Sequence, residues 1–277
     1  MTLPLKIHGG KHYLADWIIG QMGEHIHYVE THFGGGQVLF RKPYEGYSEV
    51  ANDIDEELIN FWVVIRTKES FYEFQRLIGL TPFSEDLFDS VERGRDLIKD
   101  FANSVDKAVA FFIRNRQSRQ GLGKDFATLS KNRTRRGMNE QVSSWLGAID
   151  GLPEAHERLK RVVILNSDAL SIIKREDSPN TLFYSDPTYL HKDEDGTPIR
   201  SATSCYKHEM TLEDHVNLLE VLANIKGKFL LSGYRSKLYD RYCRKYHWQR
   251  EEKEIDNKSS SKKVKDIKVE CLWRNYL

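Results

Sequence analysis

The stretch Thr181-Leu182-Phe183-Tyr184-Ser185-Asp186-Pro187-Thr188-Tyr189-Leu190 holds the residues best suited to chemistry. Asp186 supplies a charged acceptor. Pro187 fixes the backbone and frees a carbonyl, and Tyr189 offers a flat ring. Those three parts suit gripping an exocyclic amine on an aromatic base. Leu182, Phe183 and Tyr184 predict a short buried strand that Pro187 stops. The turn then falls at a strand's carboxyl end, where open α/β sheets place ligands. Asp-Pro after a strand is also common turn chemistry, so the surrounding elements have to supply the context.

The first 66 residues read as α/β material. Leu5 to His8 lead to the pair Gly9-Gly10, and Leu14, Trp17, Ile18 and Met22 recur at helical spacing. Tyr28-Val29-Glu30 predicts a strand that enters Phe33-Gly34-Gly35-Gly36 and then Val38-Leu39-Phe40. Successive glycines let a backbone adopt positive φ and approach a ligand closely. Tyr47 to Ala51 predicts a second strand ending in Asn52-Asp53, and Glu56 to Arg66 a helix. Strand, glycine loop, helix, strand, acid is the order of nucleoside-binding α/β units. The loop is not G-x-G-x-x-G, which argues against a pyrophosphate cofactor. Asp53 is placed to hold a ribose diol; its competing role is as a helix cap.

Residues 67–160 carry helical apolar stripes, Phe71, Phe74, Leu77 and Ile78, then Val105, Val109, Phe112 and Ile113. They predict a mostly helical insertion. Net charge is only +1, but between Arg114 and Arg136 eight basic residues face one acid, Asp125. Such a surface suits phosphate tracking. Arg114, Arg116, Gln117, Arg119, Gln120, Lys124, Arg133, Arg135 and Arg136 are the candidate nucleic-acid contacts. The competing reading is an exposed helix laced with salt bridges, which the scarcity of acids there disfavours. A second run, Lys258, Lys262, Lys263, Lys265 and Lys268, reads as a solvated loop.

From residue 161 strands return. Val162 to Leu165, Thr181 to Ser185 and Lys228 to Ser232 are buried-strand patterns. Residues 191–210 are polar and predict a mobile loop. Thr211 with Asp214 predicts a helix start, and Ser236 to Tyr246 a helix. Trp248 to Ile255 and Lys268 to Arg274 predict a terminal hairpin. With 39% hydrophobic and 30% charged residues the chain should be a soluble globular protein. No apolar run reaches the roughly 18 residues of a membrane span, and the N-terminus lacks a signal-peptide core. Cys205, Cys243 and Cys271 form no CxxC pair, so no metal site follows and a reducing cytoplasm is the simplest compartment.

These motifs, in this order, resemble the Dam-like (D12 class) DNA adenine-N6 methyltransferases, especially phage and prophage members. Leu5 to Lys11 is similar to that family's Gly-Gly-Lys motif, and Glu30 to Gly36 to its Glu-Pro-Phe-x-Gly-x-Gly loop. Asn52 to Asp55 resembles the acidic strand end, Asp186 to Tyr189 resembles Asp-Pro-Pro-Tyr, and Ser232-Gly233-Tyr234 and Leu272 to Asn275 match later segments. The resemblance implies a Rossmann-like methyltransferase sheet built from residues 1–66 and 161–277, with residues 67–160 as the target-recognition insertion. It implies S-adenosylmethionine as cofactor, held by Ile7, Lys11, Glu30, Phe33, Gly34, Gly36, Asp53, Ile54, Asp168 and Asp186. In that scheme Asp168 takes the cofactor's adenine amine, while Lys11 and the glycine loop line its methionine end. Asp186, Pro187 and Tyr189 would be catalytic, acting on an adenine flipped out of double-stranded DNA. A cognate restriction endonuclease is the protein partner such enzymes invite. Three positions depart from the family: Thr188 for the second proline, Thr31-His32 for Pro-Phe, and Ile7 for an aromatic residue. Other outcomes for the same motifs are an RNA adenine or protein glutamine methyltransferase, or a catalytically weakened DNA-binding relative.

Overall fold

The computed structural model describes residues 2–7, 9–200, 206–256 and 267–277. His8, Cys205 and the lysines at 258, 262, 263 and 265 lie outside the described residues. The chain forms two compact units, Met1–Ala15, Gly34–Arg41 and Asp55–Asn166 in one, Asp16–Phe33, Lys42–Ile54 and Ser167–Leu277 in the other.

The elements follow the hydrophobic periods closely. In order they are α1 Ala15–Gly20, β1 His27–Glu30, β2 Ser48–Asn52, α2 Glu56–Arg66, α3 Lys68–Gly79 and α4 Glu85–Arg93. Then come α5 Arg95–Phe101, α6 Ser104–Gln117, β3 Thr134–Arg135, β4 Met138–Asn139, α7 Glu140–Asp150, α8 Leu152–Leu159 and β5 Val162–Leu165. The last third holds α9 Ala169–Glu176, β6 Thr181–Ser185, α10 Leu212–Ala223, β7 Lys228–Gly233, α11 Lys237–Lys245, β8 Gln249–Asp256 and β9 Ile267–Arg274. Among the described residues no helix is long and apolar enough to cross a membrane.

Within the second unit the strands lie in the order β2-β1-β6-β7-β9-β8. β2, β1, β6 and β7 run parallel, and β9 and β8 close the edge as an antiparallel hairpin. β6 is buried at every position because it has a strand on each side. A strand buried on both faces reads as a continuous apolar run, which is what Leu182-Phe183-Tyr184 shows. Connections leave β1 and β6 toward opposite edges, so their carboxyl ends lie at the switch in strand order, where open α/β sheets place ligands. The predicted capping box of α10 is present: Thr211 accepts from Asp214 N, and the Asp214 side chain returns to Thr211 N.

The first unit is mostly helical. α6 packs against α2, α3, α4, α5 and α7. Phe61, Phe74, Phe112 and Trp145 are buried where these helices meet. The expected helix after the glycine loop is a single turn, with Phe40 N bonded to Gly36 O. Pro43 sets the limit, because a residue before proline is pushed out of the helical region. The unit also contains a β3–β4 hairpin that the helical stripes do not announce. Its two turn residues, Arg136 and Gly137, have φ of 57° and 74°, the tight turn that suits twisted antiparallel strands.

Candidate active site

β6 delivers the candidate turn, 186–189. Past its last buried residue, Ser185, Asp186 is half-buried, Pro187 buried and Tyr189 half-buried. The Tyr189 hydroxyl lies 3.2 Å from Asp186 Oδ1 and donates to the Glu270 carboxylate on β9. Its ring meets Tyr234 edge-on at 4.8 Å. Arg200 Nε donates to the Tyr189 carbonyl at 2.5 Å, and the Arg200 guanidinium pairs with Glu209. The turn is therefore held at its ring, its hydroxyl and its backbone. Burial, then Asp186, then Glu270 push the Tyr189 phenol well up, so it keeps its proton.

β1 ends beside it. Glu30 pairs in register with Tyr184, and Thr31 N bonds Tyr184 O at 3.0 Å. The Tyr28 hydroxyl donates to Glu30 Oε1 at 2.7 Å, as alternate residues of a strand share a face. Phe33 N bonds Asn52 O at 2.8 Å. Asn52, fully buried, donates to Thr31 O and Ser167 O and accepts from Ser167 N. This one amide ties the end of β1 to the residues that precede Asp53 and Asp168. Asp53 is half-buried, and Ile54 beside it is 49% exposed. The cap of α2 is Asp55, which leaves Asp53 outside that role. Asp168 does cap a helix: its Oδ2 accepts from Ser171 N and Oγ at the start of α9.

Ile7, Lys11, Gly34 and Gly36 come together within the helical unit. Gly34 and Gly36 have φ of 50° and 68°, and the Gly34 carbonyl is held by Trp62 Nε1 at 3.0 Å. A Cβ on Gly35 would stand 2.6 Å from Gln37 Nε2 and 2.7 Å from the Ile7 side chain. The loop packs closely on the 7–10 turn, and the positive φ of Gly34 and Gly36 favours glycine. Buried Lys11 donates to Gly9 O at 3.1 Å. A positive buried side chain beside glycine backbone suits a ligand carrying carboxylate, and S-adenosylmethionine fits this donor set.

The family model for the D12 class N6 adenine-specific DNA methyltransferases matches residues 8–257. The chain belongs to this family. No curated protein matches the sequence. A solved structure, protein LPL1258 from Legionella pneumophila str. Philadelphia 1 (family-model DUF519), is 15% identical over 100% of this chain and 86% of that one, with a TM-score of 0.33. A likeness that loose carries no argument.

The activity of this D12 methyltransferase is site-specific adenine-N6 methylation of DNA, and membership of the family implies the use of S-adenosylmethionine. Two of its departures from the family pattern have local reasons. The Thr188 hydroxyl accepts from Met210 N at 2.9 Å and donates to His208 O at 3.4 Å, which a proline could not do. Thr31 Oγ1 bonds Ser185 Oγ at 2.8 Å and His32 Nδ1 at 2.9 Å, joining the ends of β1 and β6. Desolvation first, then the nearby His215, lowers His32 to about 4, so it is a neutral hydrogen-bonding ring here. In the 191–210 segment the part around Asp193 is hydrogen-bonded to α11. Asp193 accepts from Asp193-facing amides of α11, Lys237 N and Leu238 N, and Asp193 N bonds Thr197 O.

The basic stretch splits in two. Arg114, Arg116 and Gln117 are 6%, 6% and 0% exposed, so they do not form a DNA surface. Arg114 pairs with Glu57 at 3.0 Å. Arg116 donates to Ser144 O and Oγ, and burial lowers it to about 10. Gln117 donates to Pro82 O and accepts from Ser84 N. Being the end of the central helix, this turn is enclosed, and most of its polar groups bond internally, although Arg116 Nε is buried without a hydrogen-bond partner. Arg119, Gln120, Lys124, Arg133, Arg135 and Arg136 are exposed. Arg133, Arg135 and Arg136 gather on the β3–β4 hairpin. Reasoning from residue types missed Glu270, Arg200 and Asn52. An acid inside the apolar run Val269 to Trp273 was the signal for Glu270.

Proposed function

We propose that the turn after β6 carries out the methyl transfer, on an adenine flipped out of the duplex. The observation that supports this best is the fixed Asp186-Pro187-Thr188-Tyr189 turn at the carboxyl end of a buried central strand. The adenine N6 lone pair is delocalised into the ring. Acceptors at both N–H bonds, the Asp186 carboxylate and the Pro187 carbonyl, favour a pyramidal nitrogen and concentrate that lone pair. Tyr189 stacks on the base. When bound, S-adenosylmethionine supplies a methyl group already made electrophilic by its sulfonium. The residues therefore need to orient and stabilise rather than to protonate a leaving group. Taking the methyl leaves N6 cationic and the sulfur a neutral thioether; N6 then gives one proton to Asp186 or to water, so no general base has to act first. Because the amine lies inside the stacked duplex, the base must leave the helix to reach Asp186.

In this reading Asp53 holds the cofactor ribose, Asp168 its adenine amine, and Lys11 with the 34–36 loop its methionine end. Glu30, Phe33, Ile7 and Ile54 complete the lining. Residues 67–160 serve target recognition, with the exposed hairpin arginines as phosphate contacts. Asp53→Ala is expected to weaken S-adenosylmethionine binding by about tenfold or more, the scale of a lost charge-assisted hydrogen bond, while the fold survives. Calorimetric titration of the cofactor alone tests it, and unchanged affinity would remove Asp53 from the site.

A further inference from the structure

Glu270 is a carboxylate with 3% exposure on a strand whose next residues, Cys271, Leu272 and Trp273, are all buried. Burying a charge there costs stability unless hydrogen bonds offset it. The Tyr189 hydroxyl donates to Glu270 Oε1 and also stands 3.2 Å from Asp186 Oδ1. A phenol has one proton to give, and it cannot serve both carboxylates at once. We propose that Glu270 is a positioning residue for methyl transfer: it accepts the hydrogen bond of the Tyr189 hydroxyl, fixes the ring for stacking and reserves Asp186 for the target amine. The proposal rests on reading the 186–189 turn as the transfer site.

The rest of β9 supports the same role. Lys268 shares the strand face of Glu270, two residues earlier, and its Nζ lies 4.8 Å from the centre of the Tyr234 ring. Tyr234 in turn packs edge-on against Tyr189. One face of β9 therefore braces both rings, while Arg200 holds the Tyr189 carbonyl from the 191–200 segment. Without Glu270 the phenol turns to Asp186 and occupies the acceptor that the adenine amine needs.

The test is a double-mutant cycle on full-length protein, using duplex DNA and methyl-labelled S-adenosylmethionine. Glu270→Met keeps an unbranched side chain of similar length and removes the acceptor, a type of change that buried charges often tolerate. It should lower kcat by about tenfold or more, with cofactor affinity within about twofold. In a Tyr189→Phe background the same change should cost less than about twofold, because the phenol it acts through is gone. Glu270→Gln retains an acceptor oxygen and should recover most of the loss. Equal losses in both backgrounds, or full activity of Glu270→Met, would overturn the proposal. Asp186→Asn, assayed alongside, separates the two ideas. If it abolishes methylation while Glu270→Met keeps full activity, the anchor falls and the site stands. If it is fully active, the site reading itself falls.

Discussion

Asp186→Asn should lower methyl-transfer turnover by about 10²–10³-fold, the loss seen when one preorganised hydrogen-bonding partner of a transition state is removed. The substitution keeps size and one acceptor oxygen. It loses the charge and can present an NH₂ to the amine it should accept from. The contact strengthens only as the nitrogen rehybridises, so the loss belongs in kcat, with a much smaller change in cofactor affinity. Single-turnover methylation of duplex DNA, with cofactor titration of the same preparation, measures both. A change confined to cofactor affinity would place Asp186 in cofactor binding instead. The fold should be indifferent, because Asp186 follows the last residue of β6 and contributes nothing to its ladder.

Replacing Arg133, Arg135 and Arg136 together by glutamine should weaken DNA binding and flatten its salt dependence. Each phosphate contact releases counterions worth about 0.9 in the slope of log affinity against log salt. Three lost contacts therefore change the slope by as much as about 2.7. The three arginines are exposed on a short hairpin. The pairs of Arg133 with Glu140 at 3.9 Å and Arg136 with Asp150 at 3.3 Å are exposed ion pairs of little worth to stability. Binding measured across a salt series, on duplexes of different sequence, separates phosphate contact from base reading. Equal affinity and slope for the wild type and the triple variant would mean that this hairpin does not touch DNA.

Much of the fold was legible because the periods are clean. Glu56 to Arg66 and Val162 to Leu165 match the structure end to end. The terminal hairpin pairs Trp273 with Arg250 and Leu272 with Glu251, an apolar strand against a mostly charged edge strand. The turn at 186–189 was legible because a proline ends an unmistakably buried strand. Arg114 to Gln117 were not legible. Arginine and glutamine signal a surface, yet the tertiary setting of α6 encloses them, and their hydrogen-bond partners Glu57, Ser144, Pro82 and Ser84 are distant in sequence. The β3–β4 hairpin was hidden for a different reason. Two-residue strands carry no period, and Arg136 occupies a positive-φ position where glycine or asparagine would have announced the turn. Glu270 escaped because its partner, Tyr189, is 81 residues away in sequence.

The most direct test of the whole account is to incubate the protein with methyl-labelled S-adenosylmethionine and duplex DNA, RNA and protein side by side, then digest each and identify the labelled product. The account predicts label only in DNA, as N6-methyladenine, and its loss in Asp186→Asn protein that still binds the cofactor. Label appearing in RNA adenine, in a protein amide or on another DNA base, or undiminished N6-methyladenine in the Asp186→Asn reaction, would contradict it.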